Sequence, residues 1–338
     1  SNEAEFRMIA NLFSPSTVDS CFTHDGPGVV PGIKNDDHEW STRGHSDRIV
    51  PINSRRLRVL ADLYDGRDVG ALEARLPAIH SKQAMSVLNR LSAVSGRLID
   101  LGEGYRATEL WHETNAQEGG LISWDTHFPE DSKSFVVSGP HFFVGTPLNK
   151  TPNRVCDHRN AYEEIDLTEI PKDYLPRTNF QIDCSEGERK RNTPSVSWGE
   201  GLPVTDHYCF ANRRMFHPKA ERSLIPCILP PVGGGLNTVF VVCFESESDL
   251  LVFTGLSSTT VSDFYIKNSG KSDLRADLAN RLPLPRNNEL NGVEIRTLLL
   301  NSLTTHYADL WDDSWQDAFT DDTWTKDDPR LPADTDFS

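Results

Sequence analysis

Thr238-Val239-Phe240-Val241-Val242-Cys243-Phe244, followed by Glu245-Ser246-Glu247-Ser248-Asp249-Leu250, decides the fold class within thirteen residues. The apolar run, rich in β-branched and aromatic side chains, reads as a strand. Ser246 with Asp249 three positions later has the form of a capping box, so a helix is predicted to open there and run to about Lys267. Its inward face would carry Leu250, Phe253, Leu256, Val261, Phe264 and Tyr265. A strand that leads directly into a helix makes a mixed α/β (α+β) chain the expectation.

The same alternation extends upstream. From about Tyr105 the sequence breaks into short apolar runs divided by Gly and Pro: Phe135–Val137, His141–Gly145, Ala161–Leu167, His207–Ala211 and Leu224–Leu229. This is a β-rich pattern with long loops. Gly233-Gly234-Gly235 sits between two of the runs and is expected to be a hairpin turn. Ser185–Ser197 is polar enough to be an exposed loop. Residues 1–52 lack helical periodicity and read as short strands and loops. Asn53 or Ser54 caps a helix to about Tyr64, and a second helical region spans about 71–99, broken early by Pro77. A last helix is expected from Asn288 to Trp311. The predicted organisation is a partly helical N-terminal segment (1–104), a β-rich domain (105–287), and C-terminal helices with an acidic tail (288–338).

The 338 residues hold 34 Lys+Arg against 50 Asp+Glu, a net charge of −16. Residues 301–338 alone supply half of that excess. Such a balance argues against a non-specific, histone-like nucleic-acid binder but leaves room for one basic face. No run approaches the ~20 apolar residues of a membrane span. No basic-then-apolar leader opens the chain, and the start at Ser1-Asn2 is that expected of a piece of a longer protein. The six cysteines form no Cys-x-x-Cys pair and are expected to be reduced thiols, which fits the cytoplasm.

Enzyme signatures are missing. The sequence contains no Walker loop, dinucleotide-binding glycine motif, nucleophile elbow or His-Glu-x-x-His. Asp131-Ser132-Lys133 and Glu188-Arg189-Lys190 each have the form of half a nuclease metal site, but composition alone produces as many. The eleven His fall into no zinc-ligand spacing. No catalytic residue and no metal ligand is therefore expected in this chain. Trp311 and Trp315, four apart, are placed to anchor a final helical turn; Trp324 follows in the acidic tail.

Three blocks stand out as motifs. The first is Val137-Ser138-Gly139-Pro140-His141-Phe142-Phe143-Val144-Gly145-Thr146-Pro147, continuing through Asn149–Arg154 and Ile165–Leu167 to Tyr174–Asn179. The second is Leu250–Lys267 with Gly270-Lys271-Ser272-Asp273-Leu274-Arg275. The third is Arg281-Leu282-Pro283-Leu284-Pro285. Together they resemble the C-terminal target-recognition region of large bacterial adenine-specific DNA methyltransferases, from restriction–modification and phage-defence systems. The likeness runs from about Trp40 to Trp311. One departure is Leu256-Ser257-Ser258, where that helix often reads Leu-Asn-Ser. The family's Asn/Asp-Pro-Pro-Tyr/Phe catalytic motif and glycine-rich cofactor loop are missing. The resemblance thus implies recognition of double-stranded DNA without a cofactor of its own, S-adenosylmethionine belonging to a catalytic part not present here. It also implies partner subunits of a defence complex.

Residues with the chemistry to contact DNA lie at the ends of apolar runs: Lys150, Thr151 and Arg154; Arg177 and Asn179; Arg213 and Arg214; and Lys267, Lys271 and Arg275. Arg reads guanine bidentately, Asn reads adenine, and both grip phosphate. Two other readings stay open. One is a protein-interaction module that docks a helicase or nuclease partner. The other is a Mg²⁺-dependent nuclease using Glu188 and Lys190.

Overall fold

The computed structural model describes residues 5–143, 148–158, 161–217, 220–286 and 290–321. The chain is mixed α/β, as expected, and divides into two compact units: residues 1–95 with 264–271, and the remainder.

In the first unit, β1 (Glu5–Met8) pairs antiparallel with β2 (Val50–Asn53), and α1 (Ser16–Thr23) lies in the segment between them. That helix departs from the loop-and-strand expectation for residues 1–52. Residue 44 shows why a glycine stands there: a Cβ at Gly44 would sit 2.4 Å from the Ser20 backbone of α1. Helix α2 (Ser54–Tyr64) begins where the sequence predicts. The Asn53 side chain accepts the Arg56 N–H and satisfies one of the helix's orphan donors. Pro77 interrupts the next region, so only α3 (Lys82–Ala93), capped by Ser81, is an α-helix. The apolar stripes of α2 and α3 bury Leu57, Leu60, Leu63, Met85 and Leu88. Arg48 is fully buried and donates to the carbonyls of Ala10, Asn11 and Arg43, tying three loops together.

The second unit is built on a four-stranded antiparallel sheet. Its strands are β3 (Tyr105–Glu109), β9 (Cys209–Arg213), β10 (Cys227–Leu229) and β12 (Val239–Phe244), in the order β10-β9-β12-β3. Every residue of β12 is buried, which explains its unbroken apolar run. Helix α4 (Glu113–Glu118) leads from β3 to β4 (Ile122–His127), which pairs with β8 (Thr178–Ile182). β5 (Val136–Val137) pairs with β11 (Gly234–Gly235), and β6 (Lys150–Pro152) with β7 (Tyr162–Glu164).

Two sequence expectations are corrected here. Gly233–Gly235 is not a hairpin turn: β10 and β12 both pair with β9 rather than with each other, and β11 runs parallel to β5. The glycines permit close packing instead. A Cβ on Gly234 would fall 2.2 Å from the Trp111 ring, and one on Gly233 would fall 2.0 Å from the Lys133 carbonyl oxygen. The expected loop at 185–197 contains α5 (Glu186–Asn192), opened by a Ser185–Glu188 capping box with Arg189 turned inward.

Helix α6 (Glu247–Ser257) starts at the predicted Ser246 cap. It ends at Ser258, and α7 (Thr260–Lys267) follows as a separate helix. α8 (Ala276–Ala279) is one turn. α9 (Asn291–Asn301) packs on α6, where Gly255 meets the Val293–Thr297 face too closely for a side chain. The expected helix start at Asn288 lies outside the described residues, and the expected single helix divides into α9 and α10 (Ala308–Ser314). These elements close the domain at its edge. Asn301 Oδ1 accepts the Ile228 N–H at 2.8 Å, and the Tyr307 hydroxyl donates to the Ile228 carbonyl at 2.9 Å. Edge strand β10 is thereby occupied by side chains. Trp311 stacks on Trp315 and Trp315 meets Phe319 edge-on. Trp324 lies outside the described residues. Among the described residues no helix is long and apolar enough to cross a membrane.

Candidate nucleic-acid interface

A concavity with cationic side chains in its lining lies where β9 ends. It is a cleft of 440 Å³ whose lining includes Phe142, Phe143, Arg213, Met215, Phe216 and Arg222. Buried polar groups hold its walls. Asn212, fully buried, accepts the Ile225 N–H at 2.7 Å and donates to the Arg213 carbonyl. Asp263 accepts the N–H groups of Ser223 and Leu224 at 2.7 and 2.8 Å. Arg222 donates to the Ser258 carbonyl. These side chains fix the loop facing the strand end, although among the described residues Arg222 Nε is buried without a hydrogen-bond partner.

Phe142 and Phe143, adjacent in the Gly-Pro-His-Phe-Phe motif, divide their roles. Phe142 is buried in the core, whereas Phe143 is 40% exposed and lines the cleft. Lys150 Nζ lies 3.7 Å from the Phe143 ring centroid and 3.6 Å from Glu164. Through the β6–β7 ladder this cation neighbours Arg177, which pairs with Glu163 at 2.9 Å and covers the exposed ring of Phe128 at 4.6 Å. Lys150 therefore borders the cleft of Phe143, Met215 and Arg213, whereas Arg177 and Phe128 lie by Glu163, one residue before Glu164 and so on the opposite face of β7.

A buried polar cluster positions that border. His141 Nδ1 accepts the Ser138 N–H at 3.0 Å, and Nε2–H donates to the Arg177 carbonyl at 2.9 Å. Burial pushes the His141 pKa down to about 4, so the ring is neutral and holds this tautomer. Ser138 Oγ bonds the Tyr162 hydroxyl, which also accepts from Asn179 Nδ2; Asn179 Oδ1 accepts from Thr126. Burial pushes the Tyr162 phenol up, so it stays protonated.

The remaining candidates are placed differently. Thr151 and Asn179 are interior; Thr151 Oγ1 accepts the Arg177 N–H. Arg154 is exposed and forms no ion pair among the described residues. Successive side chains on a strand point to opposite sides, and Arg214 pairs with Glu109 at 2.7 Å, a carboxylate it shares with Arg275. Lys267 and Lys271 belong to the first unit. Phe143, Phe128, Met215 and Arg222 escaped the sequence reading. A Phe pair following a Gly-Pro turn was the available signal for Phe143, because one of two adjacent side chains on an extended segment faces outward.

The nuclease-like triplets converge on a second cleft of 520 Å³, lined by Asp131, Lys133, Glu186, Arg189 and Asp206 among others. Lys133 and Arg189 both bind Asp206, at 3.0 and 3.2 Å, and together hold its carboxyl below the usual range. Asp131 caps its own turn, and Glu188 is consumed in the α5 capping box. Among the described residues no group of three or more His, Cys, Asp or Glu is arranged to hold a metal ion.

A scan against protein-family models finds none that matches this chain, and a search of curated proteins finds no matching sequence.

Proposed function

We propose that this chain recognises duplex DNA, as the specificity part of a larger cytoplasmic adenine methyltransferase system whose catalytic machinery lies elsewhere. The observation that carries the reading is the cleft lined by Arg213 and the exposed Phe143 ring, with Lys150 held against that ring, on a chain whose net charge is −16. Cations gathered on one face of an acidic protein attract the phosphate backbone locally while the remaining surface repels it, which suits a site-specific rather than a coating protein. Arg213 carries no ion pair among the described residues and is the first choice for a base or phosphate contact. Arg154 extends the same basic edge in sequence.

Fluorescence anisotropy with a random-sequence duplex pool at two salt concentrations, followed by sequencing of the retained fraction, tests the reading. Salt-sensitive binding with an enriched short motif is expected. Arg213→Ala should weaken it by about 1–3 kcal/mol if the contact is to a base edge, and relax one position of the motif. Uniform weakening with a salt slope reduced by about one would make it a phosphate contact instead.

A further inference from the structure

We infer that Cys209 and Cys243 form a redox-sensitive switch, closed as a disulfide or open as two thiols, which acts on the cleft that holds Lys133, Arg189 and Asp206. The two residues face each other across the β9–β12 ladder with Cα atoms 4.4 Å apart, the spacing of a cross-strand pair that exchanges no backbone hydrogen bond. Opening the bond therefore leaves the ladder whole, and β12 stays paired with both β9 and β3.

Two features provide for the open state. The Val204 carbonyl oxygen lies 3.3 Å from Cys209 Sγ and 3.5 Å from Cys243 Sγ. A disulfide sulfur has no hydrogen to donate, whereas a thiol at either place does. A cavity of 10 Å³, lined by Cys209, Val204, Thr205 and His207 among others, gives the Cys209 sulfur room to rotate once the bond is broken. By strand parity Cys227 shares this sheet face, but burial pushes its thiol up to about 12, so it stays protonated and does not exchange into the pair.

Val204 also begins the 3₁₀ turn Val204–Asp206, which carries the change outward. Thr205 Oγ1 accepts from Arg189 at 3.1 Å, and Asp206 accepts from Arg189 at 3.2 Å and from Lys133 at 3.0 Å. A thiol bonded to the Val204 carbonyl ties this turn to the sheet. Closing the disulfide withdraws that tie from the residues that hold both cations. A small thiol, the reductant of a reducing compartment, opens the pair in two exchanges. Its thiolate attacks the Cys209 sulfur, and Cys243 leaves as a thiolate that takes up a proton. A second small thiolate then frees Cys209 and carries the first away as a disulfide, so two electrons pass to the protein. Closing is the reverse, with the small disulfide as oxidant.

The test needs no DNA. The whole chain is equilibrated in glutathione buffers of graded ratio, alkylated, and its free thiols counted by mass. Forms with four and six thiols should interconvert reversibly while the near-ultraviolet circular dichroism stays that of a folded protein. Lys133 should be acylated about twofold more slowly in the six-thiol form, since a thiol is a weak donor. Lys82, paired with Asp47 in the first unit, is the internal reference. Cys243→Ser should show the slow rate at every ratio, and Cys227→Ser should leave the switch intact. Six thiols that appear only as the circular dichroism collapses, or no more than four at any ratio, would make the bond a permanent fastener and overturn the switch. Two folded forms that label Lys133 at the same rate would overturn its reach to the cleft.

Discussion

His141 is the most constrained titratable residue of the candidate interface. It is fully buried, receives the Ser138 N–H and donates to the Arg177 carbonyl, so it sets the turn that leads to Phe143 against the segment that enters β8. Its folded-state pKa of about 4 lies below the 6.5 of an unperturbed imidazole. The unfolded chain therefore takes up the proton first as pH falls. Stability is fully present above pH 6.5, declines between 6.5 and about 4 at up to about 1.4 kcal/mol per pH unit, and reaches a loss of roughly 3 kcal/mol. His80 and His207, also depressed by burial, act in the same direction. Urea titrations across that pH range should show the decline. His141→Gln should be less stable at pH 7.5 and have a shallower slope, and an unchanged slope would contradict the assignment.

Elements show where sequence patterns suffice and where they fail. The caps at Asn53, Ser81 and Ser246 act within three or four residues of their targets, so Asn53 and Ser246 could be read directly. Gly233–Gly235 could not, because the reason for glycine there is a tertiary neighbour 100 residues earlier in the chain, the Lys133 carbonyl. Gly233→Ala should destabilise the second unit by roughly 3 kcal/mol through backbone overlap. Gly187→Ala in α5, where a Cβ would meet only the Arg191 guanidinium at 3.5 Å, should be neutral or slightly stabilising by thermal melting. Equal losses from the two substitutions would contradict the packing account. The cysteines teach the same lesson. Cys209 and Cys243, 34 residues apart, face each other across the β9–β12 ladder with Cα atoms 4.4 Å apart and form a disulfide, correcting the expectation of six thiols. Thiol titration of the unfolded, unreduced protein should count four; six would contradict the pairing.

At the scale of the whole molecule, charge and topology have to be read together. The first unit carries 13 Lys+Arg and 12 Asp+Glu, whereas the second carries 21 and 38, so the whole negative excess lies in the unit that bears the proposed interface. A sequence average hides this partition. It also hides the approach of Lys150, which starts β6, and Arg213, which ends β9, to one cleft through the Phe143 ring. Candidate residues chosen for their place after apolar runs divided accordingly: Thr151 and Asn179 turned inward, and Arg214 and Arg275 shared Glu109. Residue type and position along the strand were legible, but strand parity and ion partners required the fold. The measurement that bears most directly on the central claim is duplex binding by wild type and Arg213→Ala at low and moderate salt. The account predicts motif-selective binding that weakens as salt rises and weakens again with Arg213→Ala. Equal, negligible binding by both proteins at low salt would contradict it.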